Sequence, residues 1–340
     1  MPPLSGLTTT CVTADEQSVV IATSPPLAPR RSTTEASVRV RGTSTATKPR
    51  LELAPYVFIL PSLALIVIWA YYPLVDTIRI SFFDGTLLSG PQRFVGFRNY
   101  GAVVGTPEFQ KALVNTFKYI AGMLPLAVIL PLGVALLAAD IGGRMRDVYR
   151  SIIFMPMIMA PVVVSLIWLW ILNPLQGVLN HMLRNVFGAP TINWLGDEST
   201  ALWVVVFITG WKILGFSFIL YAAAITGIDR GYVEAARLDG ASDWQITRHI
   251  VVPLLTPTFY FLLLFTIMFA GQWAFAPINV LTQGNPNNST SNVFYILYQI
   301  AFQYFNVGQA AAASVMVFLV MGVGIVFGAR LLERRSHFDN

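Results

Sequence analysis

The chain has 340 residues, 55% of them hydrophobic and only 11% charged, with a mean hydropathy of +0.63. Soluble globular domains carry about 25% charged residues, so this balance is too apolar for one and points to a polytopic, all-α integral membrane protein. One cysteine, Cys11, excludes an internal disulfide and a cysteine-based metal cluster, and the three histidines (His181, His249, His337) lie far apart outside the apolar segments.

Residues 1–50 hold sixteen Ser/Thr, six basic residues and no aromatic residue. Such a segment buries too little apolar surface to offset its ordering entropy, so it reads as a disordered cytoplasmic tail. It lacks the apolar core of a signal peptide, and Asp15, Glu16 and Glu35 argue against a transit peptide. A transmembrane domain is expected over residues 51–335.

Six segments are long and apolar enough to span a bilayer, which takes about 20 residues each. They run over 54–80, 112–139, 151–172, 201–227, 254–276 and 308–332. With the N-terminus inside, the inner segments hold fifteen Lys/Arg and the outer loops four: Arg93, Arg98, Lys111 and Arg184. That asymmetry predicts both termini in the cytoplasm. It also accounts for the net charge of +5, which leaves nucleic-acid binding without independent support.

Between the fourth and fifth segments lies a charged island, 229–250. Its charges are Asp229, Arg230, Glu234, Arg237, Asp239, Asp243 and Arg248. Each would cost roughly 2.5–3.5 kcal/mol at the bilayer centre, so the island lies outside the membrane. Asp229 suits a helix N-cap, and Tyr232–Asp239 contains neither Gly nor Pro. Gly240 suits a left-handed stop, and Ser242 with Gln245 forms a capping-box pattern. A helix, a tight turn and a second helix are expected. Two readings stay open from these residues: a docking surface, with Ala235 and Ala236 allowing close approach, or a solvated connection with an internal Glu234–Arg237 pair.

The spacing carries a resemblance. Glu234-Ala235-Ala236, Gly240, Ile250 and Val252-Pro253 stand at the offsets of the cytoplasmic signature of ABC importer permeases, with Val252 where Leu is usual. Further residues extend the likeness over 51–335. They include Leu60-Pro61, Tyr72-Pro73, Phe94-Val95-Gly96-Phe97-Arg98-Asn99-Tyr100, Met155-Pro156, Asn173-Pro174 and Leu281-Thr282-Gln283-Gly284-Asn285-Pro286, with Asn285 in place of a glycine. Together these resemble the first permease of maltose-type and glycerol-3-phosphate-type importers. The resemblance implies a type I ABC importer-like fold with six transmembrane helices in the bacterial plasma (inner) membrane. It also implies a second homologous permease, two ATPase subunits and an extracytoplasmic substrate-binding protein that meets the outer loops 83–111, 173–200 and 277–307. The island would be the coupling helix, with Glu234, Ala235, Ala236, Asp239, Gly240 and Ala241 against the ATPase. The solute would be a sugar or a glycerol-3-phosphate-like molecule.

The chain has no Gly-Lys pair and so no P-loop. No cofactor and no catalytic residue are expected here; ATP and Mg would belong to the partner subunits. Gly322, Gly324 and Gly328 lie in an apolar segment and read as helix-packing positions. Polar and aromatic residues inside spans are the pathway candidates. Lys212 falls about eleven residues into the fourth segment, about 16 Å along it and near the midplane. Trp211, Asn115, Tyr221, Gln272 and Trp273 join it, while Lys118 is near enough to the surface to snorkel. A secondary transporter or channel would need intramembrane coupling carboxylates, and only Asp76 and Asp140 lie near span ends. An intramembrane enzyme would need convergent Ser/His, paired Asp or metal-ligand motifs within spans, and none stands out.

Overall fold

The first span, Phe58–Ile80, is a helix that packs on the other described elements chiefly toward its end. The protein is described by a computed structural model over residues 54–139 and 141–335; the tail 1–50 and Asp140 lie outside the described residues. Among the described residues, five helices are long and apolar enough to cross a membrane, or six if one sharply bent pair counts as a single span.

The second span, Pro107–Leu137, contains Pro125 and Pro131. A π-helical turn over Pro125–Ile129 absorbs the first of them without a break. The third span departs from the continuous 151–172 expected. It consists of two rods, Gly143–Ile158 and Pro161–Ile171, bent by 96°. The cause is local. Pro161 disfavours the helical conformation of the residue before it, and both Met159 (ψ 140°) and Ala160 (ψ 135°) leave the helix.

The fourth span, Ala201–Thr226, is the axis of the bundle. It packs against the second span, the first rod of the third and the fifth span, Thr256–Thr282. Glycines bring these helices close. A Cβ on Gly122 would meet the Trp203 ring at 2.8 Å, one on Gly210 would meet Leu126 at 2.6 Å, and one on Gly215 would meet the Ile153 carbonyl oxygen at 2.4 Å. Tyr119, Met123, Val205 and Ile208 are buried at one level of this core, and Phe218, Tyr221 and Leu262 at another. The sixth span is Val307–Gly328. Gly322 and Gly324 do lie on it, but among the described residues no neighbouring atom comes within 4 Å of a Cβ placed on either. Among the described residues the expected packing at these two glycines is therefore not made. Gly328 alone has one, Leu264, at 3.5 Å.

The all-helical expectation needs one addition. Phe83–Thr86 pairs antiparallel with Gly90–Phe94, directly after the first span. Gly90 turns the chain at φ +66°, and the Thr86 and Ser89 hydroxyls bond across the turn at 2.8 Å. Asn99 fixes the base by donating its amide to the carbonyls of Ser81 and Phe83, both at 2.9 Å.

Segment 277–307 is also more ordered than a loop. The fifth span runs a further turn to Thr282, and a second helix spans Val293–Gln303. Between them Ser289, Thr290, Ser291 and Asn292 are buried.

Candidate functional site

The island folds as its residue pattern requires. Helix Arg230–Leu238 starts at Asp229, whose carboxylate accepts from the Gly231 N–H at 2.9 Å. Gly240 ends it at φ +79°, a conformation that costs glycine little. The next helix, Asp243–Ile246, opens with a complete capping box between Ser242 and Gln245. It continues through a π-helical turn, Thr247–Val251, toward the fifth span. The internal ion pair is not the one expected. Arg237 instead meets Asp243 across the turn at 3.2 Å, because the left-handed Gly240 folds the second helix start back toward it.

Three large apolar side chains of this island remain uncovered: Leu238 is 89% exposed, Trp244 70% and Tyr232 60%. The residue pattern gave them no weight, although their interruption of a charged segment was a readable signal. Beside them Asp239, Gly240, Ala241, Gln245, Ile246 and His249 line a shallow open concavity. Glu234 and Ala235 are exposed, and Ala236 is half-buried. A charged segment thus carries a doubly capped, apolar-tipped knob.

The second feature lies at the opposite end of the spans. Chain 283–292 has positive φ at Gln283, Gly284, Asn287 and Asn288. One face of the second span holds it in place. Lys111 donates to the Asn287 carbonyl at 2.6 Å, Asn115 to those of Asn288 (3.1 Å) and Ser291 (3.0 Å), and Tyr119 to that of Thr290 (3.0 Å). Thr116 accepts from the Val293 N–H at 3.1 Å. Asn292 donates to the Gly271 carbonyl at 2.7 Å and caps the next helix by accepting from Tyr295 at 2.9 Å.

These bonds separate the six pathway candidates. Asn115 is buried, with its amide hydrogens committed to this segment. Tyr221 is buried in the core beside Phe218 and Leu262. Trp211 is half-buried and packs edge-on to Trp168 at 5.8 Å. Lys212 is half-buried and donates to the Met157 carbonyl at 2.9 Å. Gln272 is exposed, and Trp273 is half-buried on a stripe of rings along the fifth span. In that stripe Phe269 stacks on Trp273 at 5.7 Å, and Phe265 lies 4.8 Å from Phe269. The structure therefore does not gather the six into one place. The stripe itself, Phe261, Phe265, Phe269 and Trp273, repeats every four residues and was legible as one helix face.

Residues 109–337 match the family of binding-protein-dependent transport system inner membrane components. The chain belongs to this family. The permease is 30% identical over 292 residues to the sn-glycerol-3-phosphate transport system permease protein UgpA of Agrobacterium fabrum, an alignment covering 84% of this chain and 97% of that one. It is likewise 30% identical over 277 residues to the probable ABC transporter permease protein YurN of Bacillus subtilis, covering 79% and 92%. Its fold is similar to that of a chain in a bacterial ABC transporter involved in the import of the acidic polysaccharide alginate. There the TM-score is 0.74 at 24% identity, over 83% of this chain and 96% of that one. The protein is thus a multi-pass inner-membrane permease of an ABC importer.

Proposed function

We propose that this permease forms half of the pathway of an ATP-driven importer for a sugar or a glycerol-3-phosphate-like solute, and that the island couples it to the motor. The observation that carries the coupling reading is the exposed triad Tyr232, Leu238 and Trp244 on a doubly capped helix-turn-helix. Exposed aromatic and apolar groups on a rigid frame are what a protein partner covers. The partner would be an ATPase subunit, with Glu234, Ala235, Ala236, Asp239, Gly240 and Ala241 at the contact. ATP-driven closure of two such subunits would move the island as a rigid body and switch access. The excess of Lys and Arg in the tail, 140–150, the island and the C-terminal segment supports an inner location for island and termini.

A second, homologous permease would supply the other half of the pathway, and would cover the first span, whose central stretch is entirely exposed in the single chain. The outward ends would receive solute from a binding protein. One similar solved assembly is described as a bacterial alginate ABC transporter in complex with an alginate pentasaccharide-bound periplasmic protein. The named relatives support glycerol-3-phosphate and sugars as solute classes, and the ring stripe ending at Trp273 with Gln272 beside it suits a sugar face.

The test is co-purification and transport. Trp244→Ala and Leu238→Asp are expected to insert normally and to lose the ATPase subunits on purification. Vesicles holding the assembled importer and its binding protein should take up either sn-glycerol-3-phosphate or a disaccharide upon ATP addition. Retention of the ATPase by both variants would remove the coupling reading, and uptake without ATP would remove the ATP-driven one.

A further inference from the structure

The first rod of the third span and the fourth span run antiparallel with one matched stripe. Tyr149 meets Phe218 edge-on at 6.0 Å, the Ile153 carbonyl lies against Gly215, and the Met157 carbonyl accepts from Lys212 at 2.9 Å. On the first rod these positions step by four residues, and on the fourth span they step by three, so each set is one helix face. Tyr149 is itself tied to the Ala138 carbonyl at 3.0 Å. The top of this stripe is the break. Met157 stands two residues before Met159, where the chain leaves the helix and turns by 96° into the second rod.

The last carbonyls of a helix have no partner within it. Inside a bilayer no water is available to them, so an interrupted span persists only where something else supplies donors. Lys212 supplies one. Its charge also has the sign that a helix C-terminus favours. Gly215 makes the reach possible: any side chain there would strike the Ile153 backbone and push the fourth span away. We propose that Lys212 is a positioning residue, whose ammonium holds the first rod by the Met157 carbonyl and so fixes the angle at which the third span breaks. Its role is to set the shape of a transmembrane element, and it is independent of which solute is carried and of what drives the importer.

The test uses the assembled importer in nanodiscs. Spin labels are placed at Met145→Cys on the first rod and Leu175→Cys beyond the second, both exposed, in a Cys11→Ser background. With Lys212 present a single narrow distance is expected. Lys212→Met, which keeps length and removes the donor, should broaden or split it, and Lys212→Arg should restore it. Gly215→Ala leaves the lysine in place and forces the helices apart, so it should broaden the distance as well, and it decides the matter should Lys212→Met fail to assemble. A Lys212→Met distribution that superimposes on the wild type would overturn the proposal, as would an unchanged Gly215→Ala distribution.

Discussion

The hydroxyl of Tyr119 donates to the backbone carbonyl of Thr290 at 3.0 Å, with both residues fully buried and 171 positions apart in the chain. It is one of a set of bonds by which the second span fixes segment 283–292. Asn115 carries more of that load, since it serves two carbonyls. Leaving buried acceptors without donors costs about 1–3 kcal/mol. Asn115→Ala should therefore lower thermal stability by about that amount and raise amide exchange across 283–292. Tyr119→Phe, which frees a single carbonyl, should do the same to a smaller extent. Equal exchange in Asn115→Ala and wild type would show that the segment is held by other means.

Much of this architecture is legible in the residues, and the exceptions share a cause. Spans, island and caps follow from local rules: Asp229, Gly240 and the Ser242–Gln245 box act within a few positions of themselves. Segment 283–292 was opaque because its order comes from Asn115, Thr116 and Tyr119, which are distant in sequence. Asn115 is a pathway candidate because an intramembrane amide is expensive unless it is used, and the use seen here, donation to the Asn288 and Ser291 carbonyls, is not readable from periodicity. The break in the third span had a readable signal, Pro161, but proline alone does not separate a kink from a 96° turn. The partner of Lys212 could be found only by folding the chain.

The island's stability and its docking surface are separable. Ser242→Ala removes the reciprocal cap and should cost about 1 kcal/mol of local stability. Arg237→Ala removes an exposed ion pair, and such pairs contribute about 0–1 kcal/mol. Trp244→Ala removes a side chain that packs on little else and should leave the melting temperature unchanged. Thermal melts of the three variants, beside their retention of ATPase subunits, should rank Ser242→Ala first for stability and Trp244→Ala first for binding.

Glycines divide into two kinds. A Cβ at Gly122 would come within 2.8 Å of both the Trp203 ring and Val206, whereas Gly324 has open space around it. Gly122→Leu should overpack the junction of the second and fourth spans and destabilise the subunit by about 1–3 kcal/mol. Gly324→Leu should leave the isolated subunit as stable as wild type. Denaturation in detergent of the single chain measures both, and an unaffected Gly122→Leu variant would mean that the two spans separate at little cost.

The ring stripe on the fifth span supplies the last test. Its core-facing side is made by Leu262, Thr266, Ala270 and Ala274, all buried, so Trp273 is not required to hold the helix in the bundle. Removing it forfeits stacking on Phe269, worth about 0.5–1.5 kcal/mol, and Trp273→Ala should still insert and assemble. If the stripe lines the route, the loss appears in transport, because an aromatic face that stabilises a moving sugar ring by about 1.4 kcal/mol changes its rate about tenfold. Uptake in vesicles by Trp273→Ala should fall on the order of tenfold for a disaccharide and less for sn-glycerol-3-phosphate, which has no ring to stack. Trp273→Phe, which keeps a face of similar shape, should recover most of it. Full transport of both solutes by Trp273→Ala would place this stripe against lipid or the second permease.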